Sequence, residues 1–338
     1  MAYAIPFNIN EIPQRYEIFE KLNLFYNESA TFLSRVLNRN ENDLLTLFHE
    51  NGSFLFETYL RKIMFIEYKG NIMTFEGPPG SGKSTALLSL TMGGSDFYLD
   101  GNRNEINEIF RQRPIFPLAI VDVQVVPEED SLFSWIEGYM NNYLSILFDH
   151  FERSSCPTEA MERVEITKKT FNEVARSLGF LMLDKDQLAQ TMATDLSEYI
   201  DNLKKISKSG MEFRENYLKF ARELRLLLKE LRATEHYPLL LFAFDNVESN
   251  LKTFREIMTL CKLISVDPLS LCILAIRDYR PLLPALLSWD AWENLQYLND
   301  ITAERDEIAY ELLYRITILD AINTIEKLFL PQYIIKFR

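Results

Sequence analysis

The chain predicts an α/β fold: a parallel sheet wrapped by helices and joined by right-handed crossovers. Three observations carry this. Short apolar runs alternate with longer helical stretches along the chain. One of those runs, "FPLAIVDVQVV", is continuously apolar at first, which favours a central parallel strand covered on both faces, and "LLLFAF" and "LCILAI" read as buried strands. A glycine-rich turn, "GPPGSGK", falls directly between one such run and a helix.

Residues 14–66 open the chain with helical spacing in "QRYEIFEKLNLFY", "ATFLSRVL" and "GSFLFETYLRKIMFI", interrupted by the polar "NRNEN". "NIMTF" reads as a short buried strand that stops at the glycine turn, and "KSTALLSLTM" as the helix after it. Residues 116–126, "FPLAIVDVQVV", form the second strand. A long helix follows, with Ser131 as a cap near its start. Residues 158–233 are helical in three pieces. In the last, Phe213, Tyr217, Phe220, Leu224, Leu227 and Leu231 make one stripe, read as packing against the sheet. The basic "KKISKSG" reads as a solvated helix end. "YPLLLFAFDN" is a buried strand ending in Asp245, "LKTFREIMTLCKLI" a helix, and "LSLCILAIRDYR" a strand ending in Arg277. "NLQYL", residues 294–298, is a shorter strand, and the remainder is helical almost to the end. The expected division is an N-terminal helical region over 1–66, a core over 67–299 with a helical insertion at 132–233, and a partial or reduced helical lid over 300–338.

Composition narrows the function classes. A formal charge of -13 speaks against coating nucleic acid or an anionic membrane, although a local basic groove stays compatible with it. The three cysteines, Cys156, Cys261 and Cys272, have no paired spacing and read as buried thiols of a reducing compartment. His49, His150 and His236 lie far apart and form no zinc pattern. No basic leader followed by an apolar run opens the chain, and no run approaches the ~20 residues of a spanning helix. The expectation is a soluble, cytoplasmic protein.

The glycine turn carries the chemistry. Gly77, Pro78, Pro79, Gly80, Ser81, Gly82, Lys83 and Ser84 fit G-x-x-x-x-G-K-[ST] at every fixed position, and Thr85 follows. Glycines let the backbone wrap around phosphate oxygens. The amides of residues 80–85 and the start of a helix favour the same anion. Lys83 is expected to reach the β- and γ-phosphates of ATP, and Ser84 to give its hydroxyl to Mg²⁺. The prolines stiffen the turn and donate nothing. Asp245, at a strand end, is the expected second holder of Mg²⁺. Many such sites put another acid directly after that aspartate; here the residue is Asn246. Glu248 is the candidate to polarise the attacking water, unless turnover is slow and the nucleotide serves as a switch. Arg277 is the candidate γ-phosphate sensor. Arg280 and Gln124 are weaker candidates.

On these residues the chain resembles the AAA+ and STAND branch of P-loop ATPases over roughly residues 60–315. "GPPGSGKST" is similar to the Walker A motif, "LLLFAFDNVE" to Walker B, "LCILAIRDYR" to the sensor strand with its arginine, and "LQYLNDITAERDEIAYELL" to the last core strand and the entry to the lid. The resemblance implies a three-layer P-loop sandwich with sheet order 5-1-4-3-2, nucleotide at the carboxyl ends of the strands, and self-assembly or a protein partner. It implies a regulatory or switch ATPase of the kind used in signalling or defence. Alternatives are a DNA-transaction ATPase, a nucleotide-stabilised scaffold without turnover, and, further off, a small-molecule kinase. The short stretch after the last expected strand fits either a compact protein or the ATPase part of a larger one.

Overall fold

The computed structural model describes residues 12–37, 56, 59, 71–99, 110, 113–153, 158–181, 196–231, 236–278 and 330–337. Five strands form one sheet: β1 (Ile72–Glu76), β2 (Ile115–Asp122), β3 (Leu239–Asp245), β4 (Ser270–Ile276) and β5 (Ile334–Lys336). Their order is β2-β3-β4-β1-β5, and every neighbouring pair is parallel. Read from the other edge, this is the expected 5-1-4-3-2, the topology of P-loop nucleotide-binding proteins. All five residues of β1, all seven of β4 and the first six of β3 are buried. Successive strand residues face opposite ways, so both faces of the sheet are covered and the architecture is a three-layer α/β sandwich.

Six helices accompany the sheet among the described residues: α1 (Arg15–Leu37), α2 (Lys83–Leu99), α3 (Leu132–Arg153), α4 (Thr158–Leu181), α5 (Leu196–Leu231) and α6 (Leu251–Ile264). The helical stretch after β2 is the crossover to its neighbour β3. α3 packs on β2, and α5 lies along α4. The apolar stripe of α5 is buried from Phe213 to Leu227, and the Tyr217 ring packs on Phe242 of β3 with centroids 6.2 Å apart and planes tilted by 49°. Ser131 Oγ accepts from the Phe133 amide at 3.3 Å, so it caps α3; Glu256 of α6 accepts from the Leu132 amide at 2.6 Å. Cys261 and Cys272 are buried free thiols. No described helix is long and apolar enough to cross a membrane.

Three expectations change. β2 ends at Asp122 instead of residue 126, because the Asp122 side chain accepts from the Gln124 amide at 3.1 Å and turns the chain into a short 3₁₀ segment. "KKISKSG" is no helix end; it lies inside the continuous 36-residue α5. A single glycine in a helix costs only ~1 kcal/mol, which a long packed helix absorbs. Residues 294–298 lie outside the described residues. The strand beside β1 is Ile334–Lys336, from the stretch assigned to the lid.

α1 crosses the amino ends of the strands. Ser29 Oγ donates to Pro268 O at 2.6 Å, just before β4. Tyr26 packs on His236 before β3, and the Arg113 guanidinium, before β2, lies 5.1 Å from the centroid of the Tyr26 ring. The Tyr333 hydroxyl, before β5, donates to Glu28. The helix therefore ties four strand starts together at the edge opposite the glycine turn.

Candidate functional site

Sequence places β1 directly before the glycine turn and α2 directly after it, so strand and helix fix both ends of Gly77–Gly82. Gly80 and Gly82 have φ of 78° and 94°, a region that side-chain-bearing residues seldom enter. A Cβ on either would meet nothing within 4 Å, so the space over the turn is open. Gly77 is held to glycine for another reason. Its Cβ would lie 2.3 Å from the carbonyl oxygen of Phe337, beyond β5. The last strand thus forms the wall behind the turn.

α2 begins at Lys83, and the first intrahelical bond runs from the Ala86 amide to Gly82 O at 2.9 Å. The amides of the first helical turn, up to Thr85, have no acceptor four residues back and face the open side. Pro78, Pro79, Gly80, Ser84 and Thr85 are exposed. Ser81 differs: its hydroxyl is buried and has no hydrogen-bond partner. An orphaned donor, free helical amides and open space above two left-handed glycines suit a polyphosphate.

Lys83 Nζ folds back onto the turn, donating to Gly77 O at 2.6 Å and Pro78 O at 2.9 Å. Burial holds its ammonium below the ordinary lysine value. The carboxylates of Glu248 and Asp245 act against that, and the Arg277 guanidinium adds to it. The expected residues from β1, β3 and β4 therefore act on one another at the carboxyl edge. Arg277 stands exposed one residue past β4. Arg280 lies outside the described residues.

Asp245 ends β3 half-buried, and its Oδ1 accepts from the Asn246 amide at 3.0 Å. Glu248 sits on the 3₁₀ turn Val247–Ser249 with Oε2 buried and without a partner. Among the described residues no three His, Cys, Asp or Glu side chains gather to hold a metal by themselves. Magnesium bound with a nucleotide needs only one or two protein oxygens, the rest coming from phosphates and water. The exposed Ser84 hydroxyl and the Asp245 carboxylate are donors of that kind.

Three residues were missed. Asp122 ends β2 in register with Asp245, and its Oδ1 accepts from Asn246 Nδ2 at 2.9 Å. A signal existed, since "FPLAIVD" closes on aspartate just as "LLLFAFD" does. Glu76 ends β1 with a buried, unpartnered Oε2; its mark was a charge directly after an apolar run. Phe337 left no signal, because its contact with Gly77 is made across 260 residues of chain. Gln124 is exposed and enters only through its backbone.

No family model matches the sequence, and no curated protein is significantly similar to it. The fold is compatible with a nucleotide-binding superfamily and with NTP hydrolysis.

Proposed function

We propose that the protein binds ATP with Mg²⁺ at the carboxyl edge of its sheet and hydrolyses it as a regulatory, switch-type ATPase related to the AAA+ and STAND branch. One observation carries the reading. The Gly77–Thr85 turn lies between β1 and α2 with two left-handed glycines, and its lysine feels the charges of Asp245, Glu248 and Arg277.

In this reading Lys83 leaves the two carbonyls it now holds and turns to the phosphates. The Ser81 hydroxyl gains the acceptor it lacks. Ser84 and Asp245 hold the magnesium ion, which offsets phosphate charge. Arg277 contacts the γ-phosphate and so distinguishes ATP from ADP. Glu248 and Asp122 are the acids available to the attacking water. The protein assembles with itself or with a protein partner, and nucleotide state sets that assembly.

A second reading, a scaffold that binds nucleotide without turnover, is favoured by Asn246. It stands where a water-activating acid is usual, and an amide cannot take a proton.

Titration calorimetry with Mg–ATP, phosphate-release kinetics, and particle size with and without nucleotide test the proposal together. Binding, turnover and a size change are expected. Absence of binding removes the whole reading; binding without turnover leaves the scaffold.

A further inference from the structure

The missing acid after Asp245 has a structural counterpart one strand away. Asn246 adopts the left-handed conformation at φ 53°, one of the few residue types that tolerate it. Its amide hydrogen stays on Asp245 Oδ1, while its side chain reaches across to Asp122 Oδ1. The Gln124 amide donates to the same oxygen at 3.1 Å. Two donors on Oδ1 fix the plane of the Asp122 carboxylate. Among the described residues Oδ2 has no hydrogen-bond partner, and Asp122 is only half-buried.

Position along the sheet separates this acid from Glu248. Strands lie ~4.8 Å apart, so β3 is roughly 10 Å and β2 roughly 14 Å from β1, which leads into the phosphate-binding turn. Glu248 acts directly on Lys83, whereas Asp122 is not among the charges that shift Lys83. Glu248 thus acts at the lysine. Asp122 lies beyond Asp245, one strand further from the turn. In the ATPase reading the γ-phosphate lies over the turn, and a water attacking in line would enter from the Asp122 side.

We propose that Asp122 is the catalytic acid side chain that orients the attacking water, with Asn246 as its positioning residue; the proposal rests on the ATPase reading. Asp122 Oδ2 accepts a hydrogen bond from the water, which aims a lone pair at the γ-phosphorus. The water oxygen bonds to phosphorus. The bond from phosphorus to the β,γ-bridging oxygen breaks, and its electron pair leaves with ADP. One water proton passes to a γ-phosphate oxygen, so ATP and water become ADP and dihydrogen phosphate. Asn246 replaces no acid in this scheme. It links the metal-holding Asp245 to the water-holding Asp122 and keeps the two carboxylates at a fixed spacing.

The test measures phosphate release and Mg–ATP affinity for the wild type, Asp122→Asn and Glu248→Gln. Asp122→Asn is expected to slow release at least ~100-fold, with the dissociation constant within about threefold of wild type. That split sets it apart from a merely structural change. Glu248→Gln is expected to slow release less. Release by Asp122→Asn within about threefold of wild type, or a greater loss in Glu248→Gln, overturns the proposal. So does a wild type that binds Mg–ATP and never turns over. A wild type that binds no Mg–ATP sinks the ATPase reading itself and is told apart by the calorimetry alone. If Asp122→Asn does not fold, Asp122→Glu takes its place. It keeps the charge, moves the oxygen by one methylene, and is expected to lose at least ~10-fold; wild-type turnover there overturns the proposal equally.

Discussion

The two edges of the sheet are built on opposite terms. At the amino edge, Arg225 of α5 is fully buried and fully occupied. It meets Asp267 in a bidentate pair at 3.0 and 2.6 Å, and donates to Pro238 O at 3.0 Å and Leu269 O at 2.9 Å. Ser270 donates to the same Asp267, and the Tyr217 and Ser270 hydroxyls lie 2.6 Å apart. Burial pushes the Tyr217 phenol well above its usual range, so it stays neutral there. At the carboxyl edge, Ser81, Glu76 and Glu248 each hold a buried oxygen with no partner, Asn246 is left-handed, and Ser84 and Arg277 are exposed. Buried polar groups are normally satisfied. The Arg225–Asp267 cluster closes its hydrogen bonds internally and ties α5 to the start of β4. The carboxyl edge leaves buried oxygens without partners and charges exposed.

The contrast sets an order of expected effects. Arg225→Ala strands Asp267 as an unpaired buried charge. It should destabilise by about 3–5 kcal/mol in chemical denaturation, with nucleotide affinity unchanged in whatever folds. A loss below ~1 kcal/mol would mean that the amino edge is no clamp. Gly77→Ala drives a methyl into the Phe337 carbonyl and should cost about 1–3 kcal/mol by the same measurement. It should also weaken Mg–ATP binding, since wall and turn move together. Lys83→Ala should leave thermal stability nearly unaltered while reducing Mg–ATP affinity at least ~30-fold, the equivalent of ~2 kcal/mol for a charged hydrogen bond. If stability falls and affinity holds, the two edges have been assigned the wrong way round. Asn250→Ala removes a side-chain cap that accepts from the Thr253 amide at 3.1 Å at the start of α6. It should cost about 1 kcal/mol and leave turnover alone, which makes it the control for small structural losses near the site.

Much of the site was legible because its parts are local. The turn from Gly77 to Thr85 is one contiguous segment, and both its glycine conformations and its place between strand and helix follow from residue types. Asp245 and Arg277 were legible as candidates because each closes an apolar run. Asp122 closes one too, but the expected strand ran on to residue 126 through "VQVV", and its aspartate looked internal. Only the hydrogen bond from Gln124, which stops the strand, exposes it as an end. Glu248 was legible as a candidate; that it faces Lys83 was not.

By itself, the sequence determined the α/β class, the order of the described strands and helices up to β4, and the glycine turn between β1 and α2. Period and propensity act over a few residues, and those features need no more. Tertiary structure alone decided that Ile334–Lys336 supplies the fifth strand, that Phe337 walls the turn at Gly77, and that Asp122 and Asn246 meet. Each joins segments far apart in the chain, and which distant strand ends become neighbours depends on the packing of the whole sheet.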